Sequence, residues 1–88
     1  FVAFGFHTIV CEGNNIVSLC KAIDEAHKTK DKPTVIVADT IKGVGIKLTS
    51  GNYKWHYGAI DEEMAKVAAK DLDEYSAERI ARCGKEFE

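Results

Sequence analysis

Pro33-Thr34-Val35-Ile36-Val37-Ala38-Asp39 decides the fold. A short, unbroken apolar run behind a proline is the pattern of a buried strand in a parallel sheet, where both faces are covered. Upstream of it, Ile16, Leu19, Cys20, Ile23 and Ala26–His27 recur at helical spacing, with Lys21, Asp24, Glu25 and Lys28 mostly on the other side. That predicts a helix ending near Lys28–Thr29, before the polar Lys30-Asp31-Lys32 and Pro33. Further back, residues 6–11 are rich in β-branched and aromatic side chains and predict a first strand. Glu12, Gly13, Asn14 and Asn15 then make a turn, in which Asn14 or Asn15 caps the helix. Strand, helix and strand form a βαβ unit, which should cross over in the right-handed sense.

Downstream, residues 41–58 show no sustained period and contain Gly43, Gly45, Gly51 and Gly58. They predict a long loop, and loops of that length inside compact domains are usually functional or disordered. Asp61 reads as an N-cap, with Glu62 and Glu63 in the first helical turn. Met64, Val67, Ala68, Asp71 or Leu72, and Tyr75 give a second helical stripe, weakened by Asp71. Ser76 is placed to cap a short last helix with Ile80 and Cys83 inward and Gly84 as its stop. Two parallel strands are a poor independent fold, because their faces need covering helices and both edges are bare. The pattern is therefore an incomplete α/β sheet belonging to something larger.

Bulk properties exclude several functions. The 88 residues allow one small domain, residues 1–88, and a thin core. Net charge is -2 with Lys and Arg scattered, so there is no nucleic-acid footprint. No apolar run approaches the roughly 20 residues that span a bilayer, and no signal-peptide pattern is present. The chain starts at Phe1 rather than Met, which suits a processed product or a fragment. Cys11, Cys20 and Cys83 are odd in number and form no Cys-x-x-Cys pair, which argues against a disulfide framework or zinc site. They read as small buried apolar residues in a reducing compartment, which points to the cytoplasm.

The stretch Thr40-Ile41-Lys42-Gly43-Val44-Gly45, followed after a loop by Trp55-His56-Tyr57-Gly58, resembles the transketolase family. Pro33-Thr34-Val35-Ile36-Val37, Phe4-Gly5-Phe6, Glu12-Gly13-Asn14-Asn15-Ile16 and Asp61-Glu62-Glu63 fall in matching order, so the resemblance covers about residues 1 to 75. It implies a doubly wound α/β sheet, the thiamine-diphosphate-binding fold, of which this chain is the C-terminal part. It also implies transfer of two-carbon ketol units between sugar phosphates, in pentose-phosphate carbohydrate metabolism. The partner would be the rest of the chain or a complementary C-terminal subunit, and the full enzyme a dimer. A related synthase of deoxyxylulose phosphate shares a similar glycine turn, and a non-catalytic assembly module is a third reading; the Trp-His-Tyr-Gly context favours transketolase.

His56 is the leading site residue, being an imidazole, able to donate or accept, in a Gly-flanked loop beside Trp55 and Tyr57. The resemblance implies that His56 contacts the cofactor diphosphate and the donor sugar and assists proton transfer. Gly43 and Gly45 follow the carboxyl end of a strand, where open α/β sheets bind ligands, and glycine allows close backbone approach. The resemblance sets them beside the cofactor. Lys42 could help neutralise a diphosphate but reads as a solvated lysine. His7 and His27 read as structural or surface residues, and Phe4, Phe6 and Trp55 as core aromatics. The family's Mg2+ is held by a Gly-Asp-Gly motif and a downstream Asn. Neither is present, so the resemblance puts the metal ligands outside this chain.

Overall fold

A computed structural model describes residues 1–84. The chain divides into two compact units, Phe1–Thr40 and a second that starts at Ile41.

In the first unit a short 3-10 turn, Val2–Phe4, precedes strand β1 (His7–Glu12), helix α1 (Ile16–Lys28) and strand β2 (Thr34–Asp39). The expected βαβ unit is present, with β1 set one residue later than the sequence suggested. β1 and β2 pair in parallel, with His7 opposite Thr34 and Glu12 opposite Asp39. Asn15 is the cap of α1: its Oδ1 accepts the Ser18 N–H at 3.2 Å, and its extended backbone turns the chain into the helix. Pro33 adds a further tie, its carbonyl accepting the His7 N–H at 2.9 Å.

Side chains alternate across a sheet, so paired positions share a face. α1 packs on both strands. The face holding His7, Ile9 and Ile36 is half-buried, and Glu25 of α1 reaches His7 Nε2 at 3.2 Å. His7 thus has a partner that its sequence position did not reveal. The opposite face is open at the paired Val10, 70% exposed, and Val37. β2 is therefore a strand, as expected, but not a buried one. The stripe of α1 is also turned from its expected phase. Ala22 is buried and Val17, Ser18, Leu19 and Ala26 are half-buried, while Ile16, Cys20 and Ile23 are exposed. Small residues at 18, 22 and 26 let the helix lie close to the strands, with Val17 and Leu19 at the margin and Ile16 and Ile23 outward. Phe4, at 85% exposed, is likewise no core aromatic; Phe6 is half-buried and meets Phe1 edge to face.

Gly13 closes this unit. Its N–H donates to the Asp39 carbonyl at 2.7 Å, and a Cβ there would lie 3.0 Å from the Ala38 backbone and collide with the Thr40 side chain. Gly13→Ala should therefore cost about 1–3 kcal/mol, the usual penalty of overpacking. A lowered urea midpoint of the full-length protein is the expected reading.

The second unit contains the loop, a 3-10 turn Tyr53–His56, and helix α2 (Glu62–Cys83). Asp61 caps α2 as expected, Oδ1 accepting the Met64 N–H at 2.8 Å. Ser76 does not start a new helix, because α2 runs straight through it to the Gly84 cap. Gly84 keeps right-handed helical angles, and its N–H bonds to the Ile80 carbonyl. The inward stripe is Met64, Ala68, Asp71, Tyr75, Arg79 and Cys83, all buried or half-buried, whereas Val67, Leu72 and Ile80 are exposed. The stripe passes through the carboxylate and not the neighbouring leucine. Among the described residues the only buried apolar ones are Ala22 and Cys83. Cys11 is half-buried and Cys20 exposed, so only Cys83 fits the expected buried cysteine. Among the described residues no helix is long and apolar enough to cross a membrane.

Candidate functional site

The loop after β2 closes on itself. The Gly51 N–H donates to the Lys42 carbonyl at 2.8 Å, and the Thr49 hydroxyl donates to the Gly43 carbonyl at 2.9 Å. Inside that ring, the Thr49 and Ser50 N–H groups both reach the Ile46 carbonyl. Gly43 makes the closure possible. Its φ is +67°, and a Cβ would fall 2.6 Å from the Thr49 carbonyl oxygen. Any side chain there meets both left-handed strain and a backbone collision. Gly45, at φ +96°, serves another contact: its Cβ would sit 3.0 Å from Leu72 Cδ2 and 3.3 Å from Tyr75 Cδ1, so glycine lets the loop lie against α2.

Asn52 carries the chain from this ring into the 3-10 turn, its Oδ1 accepting the Lys54 N–H at 3.1 Å. The turn presents His56 to solvent, with Trp55 half-buried behind it, close enough that a Cβ on Gly58 would touch its ring at 3.3 Å. Lys42 Nζ lies 3.3 Å from His56 Nδ1. An ammonium can only donate, so Nδ1 is the acceptor and the proton of the neutral ring is on Nε2. Lys42 is exposed, as its sequence position suggested, but it is directed onto the imidazole. The result is a cation beside a free N–H donor, a pair suited to an anionic oxygen.

A second cluster, which the sequence reading did not identify, ties the loop to α2. Asp71 is 7% exposed, and its Oδ2 accepts the Lys47 backbone N–H at 2.9 Å. The Lys47 ammonium reaches Glu74 at 2.7 Å and Asp71 Oδ1 at 3.7 Å. The hydrogen bond to Glu74 raises the Lys47 pKa above its ordinary value, and the same bond holds Glu74 below its own. The attraction is complete across the neutral range. It is lost as pH falls through the lowered Glu74 value or rises through the raised Lys47 value. Being solvent-exposed, that ion pair adds little; the buried bond to Asp71 is the stronger tie. The signal available in the sequence was Asp71 itself, a carboxylate inside an apolar stripe.

A cleft between the loop and α2 is lined by Val44, Gly45, Lys47, Asp71 and Tyr75 among others. Of the expected site residues it includes Gly45; Gly43 and His56 are not among its walls. The structure thus puts Lys42 and Gly43 on the closed ring, brings His56 of the following 3-10 turn against Lys42, and turns Gly45 toward the helix. Among the described residues no cluster of three or more His, Cys, Asp or Glu side chains could hold a metal ion.

The family described as "Transketolase, thiamine diphosphate binding domain" matches residues 1–78. Human transketolase-like protein 2 is 38% identical over 71 residues, covering 81% of this chain and 11% of that protein. Mouse transketolase is 37% identical over 70 residues, covering 80% and 11%. The 6-deoxy-6-sulfo-D-fructose transketolase subunit SqwG of Clostridium sp. (strain MSTE9) is 33% identical over 75 residues, covering 85% and 27%. The chain therefore spans about a tenth to a quarter of the length of these relatives.

Proposed function

The chain belongs to the transketolase family, within its thiamine diphosphate binding domain, and on that premise we propose that it supplies one loop, centred on His56, to a site that transfers two-carbon ketol units between sugar phosphates. The observation that carries this reading is the Lys42–His56 contact on a closed glycine loop. It leaves one imidazole N–H and one ammonium directed at solvent by a built scaffold.

The residues present fit a diphosphate. Lys42 offers charge, His56 offers the Nε2–H donor, and Gly43 keeps the backbone clear of side chains at the turn. Gly45 contributes indirectly, by seating the loop on α2. When bound, thiamine diphosphate supplies the nucleophile for breaking the carbon–carbon bond of the donor sugar. While Nδ1 accepts from Lys42, the Nε2–H of His56 acts as a hydrogen-bond donor; to pass a proton at Nε2 the ring must first leave Lys42 and carry a proton on Nδ1. Nε2–H donates to an oxygen of the cofactor or the sugar, and with Nδ1 protonated the same atom can give its proton to that oxygen and take it back, the ring passing between imidazolium and neutral imidazole. Mg2+ would be held by residues outside this chain, as would most of the sugar-phosphate contacts. The rest of the enzyme, in the same polypeptide or in a complementary subunit, covers the open sheet face and the outward stripe of α1. Dimerisation and a cytoplasmic setting belong to the same proposal.

Assaying the full-length protein with a ketose phosphate donor against pyruvate tests this. Ketol transfer from the ketose phosphate is expected. A preference for pyruvate would move the protein to the synthase class, and no turnover of either would leave a binding module.

A further inference from the structure

We infer that Asp71 is a positioning residue for the His56 loop: its buried carboxylate, through the Lys47 backbone N–H, holds the loop in the closed form that presents the imidazole. A carboxylate on the inward stripe of an amphipathic helix is costly unless hydrogen-bonded. Here it stands between Ala68 and Tyr75, where an apolar side chain would pack at less cost, and its Oδ2 accepts a main-chain N–H from the loop at 2.9 Å. That partner is a backbone group, so the bond fixes where the chain runs and does not depend on the identity of residue 47. The Lys47 ammonium reinforces it from the solvent side, at Asp71 Oδ1 and Glu74. Two residues before Lys47, Gly45 lies against Leu72 and Tyr75, so both contacts seat the same stretch on α2. From there a chain of hydrogen bonds leads to the imidazole. Ile46 accepts from Thr49 and Ser50, Gly51 is tied to Lys42, and Lys42 reaches His56. Asp71 touches neither His56 nor any atom proposed to react; it acts by holding the platform.

The inference rests on the reading of this loop as a cofactor site, so its test separates the two. In the full-length protein, Asp71→Leu fills the space, favours helix and removes the acceptor, whereas Asp71→Asn keeps a carbonyl acceptor for the Lys47 N–H. Lys47→Pro deletes the same bond from the loop side, together with the ammonium contacts to Asp71 and Glu74, without changing the sequence of α2. Two readouts are taken: tryptic cleavage after Lys54 without cofactor, and the Kd for thiamine diphosphate. Asp71→Leu and Lys47→Pro should speed cleavage about ten- to a hundredfold, the effect of losing a buried charge-assisted hydrogen bond. They should also weaken the cofactor in proportion to the closed loop lost, and Asp71→Asn should stay near wild type in both. Wild-type cleavage rates in Asp71→Leu and Lys47→Pro would overturn the inference, as would an Asp71→Asn protein cleaved as fast as Asp71→Leu. Fast cleavage with an unchanged Kd would support the anchor and overturn the cofactor reading of the loop.

Discussion

Replacing His56 by alanine in the full-length protein is expected to lower ketol transfer by about a hundredfold to ten-thousandfold, the range of a positioned proton-transfer group. The effect should be mainly on kcat, because the Nε2 proton matters most where charge develops on an oxygen in the transition state. Thiamine diphosphate binding should weaken less, since Lys42 keeps its charge and Gly43 its turn. His56→Asn retains an N–H donor without a titrating ring, so it should recover part of the cofactor affinity and little of the rate. Steady-state kinetics with a ketose phosphate donor, alongside a cofactor titration, give both numbers. Full activity in His56→Ala would remove the histidine from the mechanism.

The second large effect concerns the 88-residue chain by itself. It is expected to show no ketol transfer and no cooperative unfolding. Its described residues bury only Ala22 and Cys83 among apolar side chains, while Val10, Ile16, Val67 and Ile80 are exposed. A parallel pair with one face open lacks the covering that such sheets require, and hydrophobic burial is the main term opposing chain entropy. Adding the complementary part of the enzyme should restore a sharp thermal transition. A steep transition and measurable turnover from the 88 residues alone would contradict this.

Much of the architecture was legible in the sequence because local chemistry determines it. Asn15 and Asp61 cap helices where short polar side chains precede periodic runs, and Pro33 marks the entry to β2. Which face of each helix turns inward was not legible. On α1, Ile16, Leu19, Cys20 and Ile23 formed the larger apolar stripe, yet of these only Leu19 shares the covered side with Ser18, Ala22 and Ala26. Periodicity reports that a helix has an apolar face, not which neighbour is present to cover it. On α2 the ambiguity between Asp71 and Leu72 was settled by a backbone N–H of the distant Lys47, and no local pattern carries that information. Ser76 misled for a related reason: a good capping residue does not break a helix whose neighbours on both sides favour it.

For the candidate site, the sequence picked out Gly43, Gly45 and His56 but not what holds them. The positive φ of both glycines agrees with the freedom expected there, although Gly45 is needed by α2 packing. Lys42 is exposed, as expected of a solvated lysine; that its ammonium lies against an imidazole fourteen positions on was not legible. The Asp71 anchor belongs to tertiary structure alone.

In the assembled enzyme the loop carrying Gly43 and His56 is expected to lie against thiamine diphosphate. Hydrogen–deuterium exchange of the full-length protein, with and without saturating cofactor, tests it most directly. Slower exchange is expected on cofactor binding at the amides of residues 42–45 and 55–58, with the exposed outer face of α2 unchanged. Demonstrated cofactor binding with no change in exchange across residues 41–58 would contradict it.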